Sequence, residues 1–318
     1  MFRILIYMSQ ILGKYYTWGK VSIFFDVNGM LCTPWSMGEY VWLDSQTVRA
    51  KWGGFSHTLT FNNTFTGFTS IRDSDGEITH STLVEFAKNS TIPSIQIDYK
   101  KSVTELCLLS KKYNIDKSSQ RDNPGPNDSN HCHPYSLLYS ALFHTVKHTA
   151  MNICEIGIAE GRSLLLWNEY LTNSQIYGFD FFQKWLNNWN EKHSHLSRVH
   201  VNAMDVRDDL QIIKSLESTG VLFDCIIDDS SHMFYDMVRI IKSSVRFLKP
   251  GGMIIIEDIR RSYDEAWFYD ELKPILGEFQ KVFFVDLDHS RRNSGVVNND
   301  KVLVLIKQGD TSFNFNLI

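Results

Sequence analysis

The chain has 318 residues, 32 basic against 36 acidic side chains for a formal charge of −4, and 43% hydrophobic and 13% aromatic composition. That length buries a real core without disulfide or metal staples, as one large domain or two ordinary ones. The charge balance argues against a constitutive nucleic-acid or anionic-membrane binder, which needs a concentrated basic surface.

Residues 2–8 are apolar but only about one strand long. They are interrupted by Arg3 and followed by no small-residue cleavage site, so they read as neither signal peptide nor membrane span. Cys32, Cys107, Cys132, Cys154 and Cys225 stand singly, without CxxC spacing, which suits a reducing, cytoplasmic compartment. Residues 1–90 hold 16 of the 42 aromatics, including Trp18, Trp35, Trp42 and Trp52, with only seven basic and seven acidic residues. Within them, runs of β-branched and aromatic residues at 21–25, 39–43, 47–52 and 57–61 alternate with Gly, Asn and Asp turns. This pattern predicts a small antiparallel sandwich or barrel over residues 1–95. Most of its rings are expected to fill the core, and any that stay exposed, first of all in 33–40, would stack on sugar rings.

Between 110 and 130 the chain turns polar, and Asn123-Pro124-Gly125-Pro126 excludes helix or strand interior there. Residues 96–132 therefore read as a helical and loop connector. From 134 onward helices and apolar strands alternate. Helices are predicted over 134–148, 162–171, 210–218, 237–247 and 265–276, and strands over 151–156, 176–179, 199–202, 224–227, 252–256, 282–285 and 302–306. Continuously apolar strands separated by helices predict a doubly wound α/β domain over 133–318, with a mostly parallel seven-stranded sheet. The last two strands form a hairpin that adds an antiparallel edge.

In such a sheet ligands bind beyond the carboxyl ends of the strands, so the residues ending each strand matter. The first ends Glu155-Ile156-Gly157 and runs on to Gly161 and Ser163. The fourth ends Asp228-Asp229-Ser230-Ser231-His232, and the fifth Glu257-Asp258. Gly157 and Gly161 allow a tight turn that leaves helix N-terminal amides for a carboxylate or phosphate. The spacing is not the G-x-G-x-x-G of dinucleotide binders. Asp180, 25 positions after Glu155 at the next strand end, is placed to accept two ribose hydroxyls.

Together these pieces resemble the cofactor site of class I S-adenosylmethionine-dependent methyltransferases, over about residues 111–308. More specifically, Asp228-Asp229-Ser230-Ser231-His232 and Ile256-Glu257-Asp258 resemble the metal-dependent sugar O-methyltransferases of macrolide tailoring. Asp116-Lys117, His133-Pro134-Tyr135 and Tyr139 match that family's lead-in to its first strand. Ser230 stands where the family has Gly, and its side chain is expected to narrow the pocket. The resemblance implies a Rossmann-like fold and a cofactor site of Glu155, Gly157, Gly161, Ser163, Asp180, Asp205 and Tyr135, with Asp205 on the adenine amino group.

Asp229, Glu257 and Asp258 would crowd carboxylates together, which repel unless one is protonated or a hard cation such as Mg²⁺ lies between them. Such a cation would orient a sugar hydroxyl and lower its pKa, and His232 would take the proton. Plain helix N-capping by the acids is the alternative for this set, a loop-bracing role the alternative for His232, and core packing that for Tyr135 and Tyr139. His289, Arg291 and Arg292 border the last hairpin as candidates for touching an acceptor phosphate.

The expected function is S-adenosylmethionine-dependent O-methylation of a sugar or glycoconjugate, a small-molecule acceptor, with neither nucleic acid nor membrane as partner and a homo-oligomer left open. The alternatives are a glycan-binding protein with an inactive methyltransferase fold, or methylation of another small-molecule or RNA hydroxyl. An RNA acceptor would want a basic groove.

Overall fold

In β5 (Thr47–Trp52) of the computed structural model, Val48, Ala50 and Trp52 are buried while Arg49 and Lys51 are exposed, and β6 (Phe55–Phe61) buries His57, Leu59 and Phe61 in the same alternation. That period of two marks a sheet with one face on a core. These strands belong to the first of two units, Met1–Lys88, the second being Asn89–Ile318. The structure describes residues 10–12, 14–18, 21–25, 29–33, 37–84, 92–98, 103–118, 133, 135–261, 263–288 and 300–313.

The first unit is an antiparallel meander of β1 (Lys14–Trp18), β2 (Val21–Phe25), β3 (Met30–Cys32), β4 (Met37–Trp42), β5, β6, β7 (Gly67–Arg72) and β8 (Ile78–Thr82), each paired with the next. The first and last strands meet. Tyr16 bridges Leu83, Ser81 Oγ donates to Thr17 O at 2.6 Å, and Thr82 N–H donates to Thr17 Oγ1 at 2.9 Å. The sheet thus closes towards a barrel, which removes exposed edges. Tyr16, Phe25, Phe61 and Phe68 pack inside with ring centroids 5.0–6.2 Å apart. Most of the described aromatic surplus is therefore core, with Phe55 half exposed. Trp35 and the rest of 34–36 lie outside the described residues.

The second unit is an α/β domain on one eight-stranded sheet. Its strands are β9 (Ser94–Asp98), β10 (Asn152–Ile156), β11 (Gln175–Asp180), β12 (Val199–Ala203), β13 (Phe223–Asp228), β14 (Leu248–Ile259), β15 (Phe279–Asp288) and β16 (Lys301–Lys307), in the spatial order β12-β11-β10-β13-β14-β16-β15-β9. The five from β12 to β14 run parallel, and β16 is antiparallel to both neighbours. Helices α1 (Glu105–Lys112), α2 (Tyr135–Phe143), α3 (Arg162–Tyr170), α4 (Gln183–His193), α5 (Asp209–Glu217), α6 (Phe234–Ser244) and α7 (Glu265–Leu272) complete it. Leu164, Trp167, Ile153, Ile227 and Ile255 lie in one shared core. The chain winds outward from β10 in one direction and then from β13 in the other, so order reverses between those two strands, where a crevice opens for ligands.

The strand count is corrected, and two further features lie near the expected boundary. The sheet has eight strands rather than seven, because β9 adds a parallel edge strand on β15. The boundary expected after residue 95 falls inside β9, so the second unit starts earlier. The stretch read as a helical and loop connector carries the helix α1, whose Leu106 and Leu109 are buried in the α/β core. No helix among the described residues is long and apolar enough to cross a membrane.

Candidate active site at the sheet switch point

At the end of β10 the backbone turns through Gly157 and Gly161. Gly157 has φ +89°, and a Cβ there would lie 2.1 Å from Asp229 O, so only glycine lets the loop pass the end of β13. Gly161, at φ +78°, caps α3, and a Cβ there would strike the Trp189 ring. The amides of this turn are used internally. Gly157 N–H donates to Phe179 O and Gly161 N–H to Ile158 O, while Ile158 and Ala159 N–H donate to Asp180 Oδ2 at 3.1 and 3.0 Å. Asp180 therefore holds the turn shut, and its Oδ1 accepts Phe182 N–H at 2.8 Å. Ile158 and Ala159, in the turn before α3, thus spend their amides on the protein's own carboxylate.

Glu155, fully buried, accepts Trp167 Nε1–H at 3.1 Å. Burial pushes its carboxyl up to about 7, against the pull of Lys117. Asp205 is bound by Arg207, whose Nε–H and Nη2–H donate at 2.8 and 2.6 Å, an ion pair that lowers its pKa.

The ends of β13 and β14 carry the densest chemistry. The pairing of β14 with β16 shifts register between Ile256 and Ile259, and Asp258 takes a left-handed φ of +56°. Neighbours in a regular strand face opposite sides, but this irregularity turns both Glu257 and Asp258 into one cluster. His232, after β13, is also left-handed at φ +55°, and Ala159 after β10 at +45°. Three non-glycine residues in strained backbone thus converge on one crevice, as functional sites often require.

The cluster centres on Lys117, an amine with only 6% side-chain exposure. Its Nζ donates to Asp229 Oδ2 at 2.6 Å and to Glu257 Oε2, and lies 3.8 Å from Glu155 Oε1. Burial opposes its charge, yet Asp229, Glu257 and Glu155 hold its pKa well above the ordinary lysine value. Tyr139 OH donates to Glu257 Oε1, so both oxygens of Glu257 are taken. Burial pushes Glu257 well up and Asp229 up, in each case against Lys117. Asp258 accepts from Tyr135 OH at 2.5 Å, and its Oδ1 lies 3.2 Å from His133 Nδ1. Burial works against Asp258's charge, but His133 and His232 hold its carboxyl below the usual range.

The atoms of Asp229, His232 and Asp258 that could ligate an ion lie within 4.8 Å of one another. Glu257, the third expected ligand, stands outside that set because Lys117 and Tyr139 hold it. His232 Nε2 is 3.6 Å from Asp258 Oδ2, and its Nδ1 is buried without a hydrogen-bond partner among the described residues. Ser230 stands beside Asp229 at the end of β13. Its Oγ turns back to donate to Asp228 Oδ1 at 2.5 Å, capping an acid that burial raises to about 7. Tyr135 and Tyr139 are buried with their hydroxyls on Asp258 and Glu257, so they brace acids rather than lie open over a ligand. His289, Arg291 and Arg292 lie outside the described residues.

The most consequential residue that sequence reasoning passed over is Lys117, noted only as part of a lead-in pair. Its partners lie 112 and 140 positions away, and no local periodicity announces such a contact.

Residues 147–289 match the family model described as "Methyltransferase domain". The match takes in a little under half of the chain. Over 142 residues, 42% of the chain, it is 29% identical to 8-demethyl-8-alpha-L-rhamnosyl tetracenomycin-C 2'-O-methyltransferase of Streptomyces olivaceus, covering 35% of that protein. It is 28% identical to L-olivosyl-oleandolide 3-O-methyltransferase of Streptomyces antibioticus over 41% of the chain and 34% of that protein. The chain thus spans about a third of the length of the curated relatives it matches. Among solved structures, it aligns with the MycE methyltransferase of mycinamycin biosynthesis in complex with Mg and SAH, at a TM-score of 0.46 and 20% identity, over 65% of this chain and 55% of that one. The matched segment spans β10 to β15, and so contains the crevice and every acid of its cluster.

Proposed function

We propose that the protein transfers the methyl group of S-adenosylmethionine to a hydroxyl of a sugar or glycoconjugate, with His232 as general base and a divalent cation at the acid cluster. The observation that carries this reading is the convergence of Asp229, His232 and Asp258 within 4.8 Å at the switch point of a methyltransferase domain. The relatives named above, O-methyltransferases of rhamnosyl and olivosyl compounds, supply the acceptor class.

The cofactor would lie across the ends of β10, β11 and β12. Asp180 is committed to loop amides, but a carboxylate has about four lone-pair sites, and Oδ1 retains room for a ribose hydroxyl beside Phe182 N–H. Gly157, Gly161 and Ser163 shape the floor, Glu155 supports it from below, and Asp205 at the next strand end would meet the adenine.

The donor set fits a hard cation: Asp229 and Asp258 offer the carboxylate oxygens that Mg²⁺ prefers. A bound cation supplies Lewis-acid polarisation of the acceptor hydroxyl. The chain's own residues do the rest. His232 accepts the hydroxyl proton as the oxygen forms its bond to the methyl carbon and the carbon–sulfur bond breaks. Asp258, 3.6 Å from the His232 ring nitrogen, stabilises the imidazolium that results. Tyr135 and His133 hold Asp258 in place for that role.

Titration calorimetry with S-adenosylmethionine, paired with a methyl-transfer assay on a rhamnoside acceptor in Mg²⁺, tests the reading. Wild type is expected to bind the cofactor and Asp180→Ala to lose at least about tenfold in affinity, as for a hydrogen bond to a charged group. His232→Ala is expected to bind the cofactor normally while turnover falls about 10²–10⁴-fold. A wild type that binds no S-adenosylmethionine, or a His232→Ala protein with full turnover, overturns it.

A further inference from the structure

Four acids, Glu155, Asp229, Glu257 and Asp258, crowd the ends of three adjacent strands, and one lysine is pushed in among them. The placement of that lysine is built rather than incidental. The Lys117 carbonyl accepts Ser136 N–H at 3.0 Å and Ser136 Oγ–H at 2.8 Å, at the start of α2, and His133 N–H donates to the neighbouring Asp116 carbonyl at 2.6 Å. The backbone is therefore pinned on both sides of residues 119–132, and the side chain runs inward from a fixed base. Its ammonium donates to Asp229 Oδ2 and Glu257 Oε2. The second side of Asp229 faces Asp258 and His232.

We propose that Lys117 is the built-in counter-cation of this cluster, a positioning residue that neutralises Asp229 and Glu257 when no ion is bound and so weakens the Asp229–His232–Asp258 side for a divalent cation. The inference rests on the cation-assisted reading given above and deepens it. A lysine amine and a metal ion compete for the same negative charge. With Lys117 present, Glu257 is occupied, and an ion on Asp229 stands beside a second positive charge. Repulsion between like charges a few ångströms apart in a buried site is a matter of tenfold changes in affinity. The cluster is thereby folded and preorganised without metal, and its metal is held loosely. Removing the amine would leave buried acids uncompensated, which is among the most damaging changes a buried ion pair can suffer.

The test uses the full chain stripped with EDTA, in wild type, Lys117→Met and the double variant Lys117→Met/Glu257→Gln. In EDTA, Lys117→Met is expected to melt roughly 10 °C below wild type, and the double variant to recover a large part of that loss because one buried acid no longer needs neutralising. Mn²⁺, followed by electron paramagnetic resonance of the free ion, is expected to bind Lys117→Met at least about tenfold more tightly than wild type. Mn²⁺ should also raise the melting temperature of Lys117→Met by more than that of wild type. A lysine that merely packs would lower the melting temperature without tightening Mn²⁺. Should Lys117→Met melt with wild type in EDTA, or bind Mn²⁺ no more tightly, the role of Lys117 is wrong. If Lys117→Met is too unstable to melt, failure of the double variant to recover the fold overturns the role equally. Absence of Mn²⁺ binding by both wild type and Lys117→Met instead overturns the cation-assisted reading, while the melts in EDTA still decide whether Lys117 neutralises the acids.

Discussion

Glu155 shows how burial decides the chemistry of one residue. Its carboxyl ends β10 with no exposure, and burial raises its pKa to about 7 against the pull of Lys117. Because this folded value lies above the unfolded 4.5, the folded chain keeps a proton that the unfolded chain gives up. The stability tied to Glu155 is complete below about pH 4.5 and is lost as pH rises through about 7. Glu155→Gln keeps the shape and removes the titration. The stability of wild type relative to Glu155→Gln is expected to fall by on the order of 3 kcal/mol from pH 4.5 to 8, and denaturant unfolding across that range measures it. Parallel pH profiles for the two proteins would sink the argument. The acids at the strand ends were legible in the sequence because strand ends can be counted off from apolar runs. Their protonation was not, since it depends on what packs above them.

At the scale of the element, α1 and β9 stand apart from the rest. Both overlap the stretch 96–132 that reads as a helical and loop connector. Yet Thr104 Oγ1 accepts Cys107 N–H to start α1, and Leu106, Cys107, Leu109 and Ser110 face the core. Truncating Leu106 to Ala is expected to cost about 2–5 kcal/mol, as for a buried leucine anywhere in a packed interior. A cost below about 0.5 kcal/mol in denaturant unfolding, the value for a surface position, would return the segment to connector status. The β14 irregularity is the other element the apolar pattern could not foresee. The run from Gly252 to Ile256 announces a strand, but only pairing with β16 creates the shift that aims two successive acids at one point. By contrast, the helices α3 and α6 and the parallel strands were readable, because their hydrophobic periods are local.

For the whole molecule, charge and core divide by unit. The first unit has its own aromatic core around Tyr16, Phe25, Phe61 and Phe68, and the second a mixed one of aliphatic and aromatic side chains around the sheet. Basic and acidic residues balance in 1–90, so the −4 belongs to the rest of the chain, where the acid cluster lies. A net charge of −4 disfavours the phosphate contacts on which RNA affinity depends. Filter binding at about 50 mM salt is expected to show no salt-sensitive retention of RNA, and retention that falls steeply with salt would favour an RNA acceptor over a sugar.

The sequence by itself determined the change from a β-rich to an α/β pattern, most helices and strands from 134 onward, and the acids that end those strands, because all of these follow from periodicities of two and 3.6 residues and from turn chemistry within a few positions. Only the tertiary structure decided that the first module closes on itself, that β9 joins the second sheet, and that Lys117, His133, Tyr135 and Tyr139 meet the acids of β13 and β14. Those contacts join residues some 50 to 190 positions apart. The pairing of distant groups is settled by which buried charges and hydroxyls can satisfy one another once the core has formed, and a local pattern carries no trace of it.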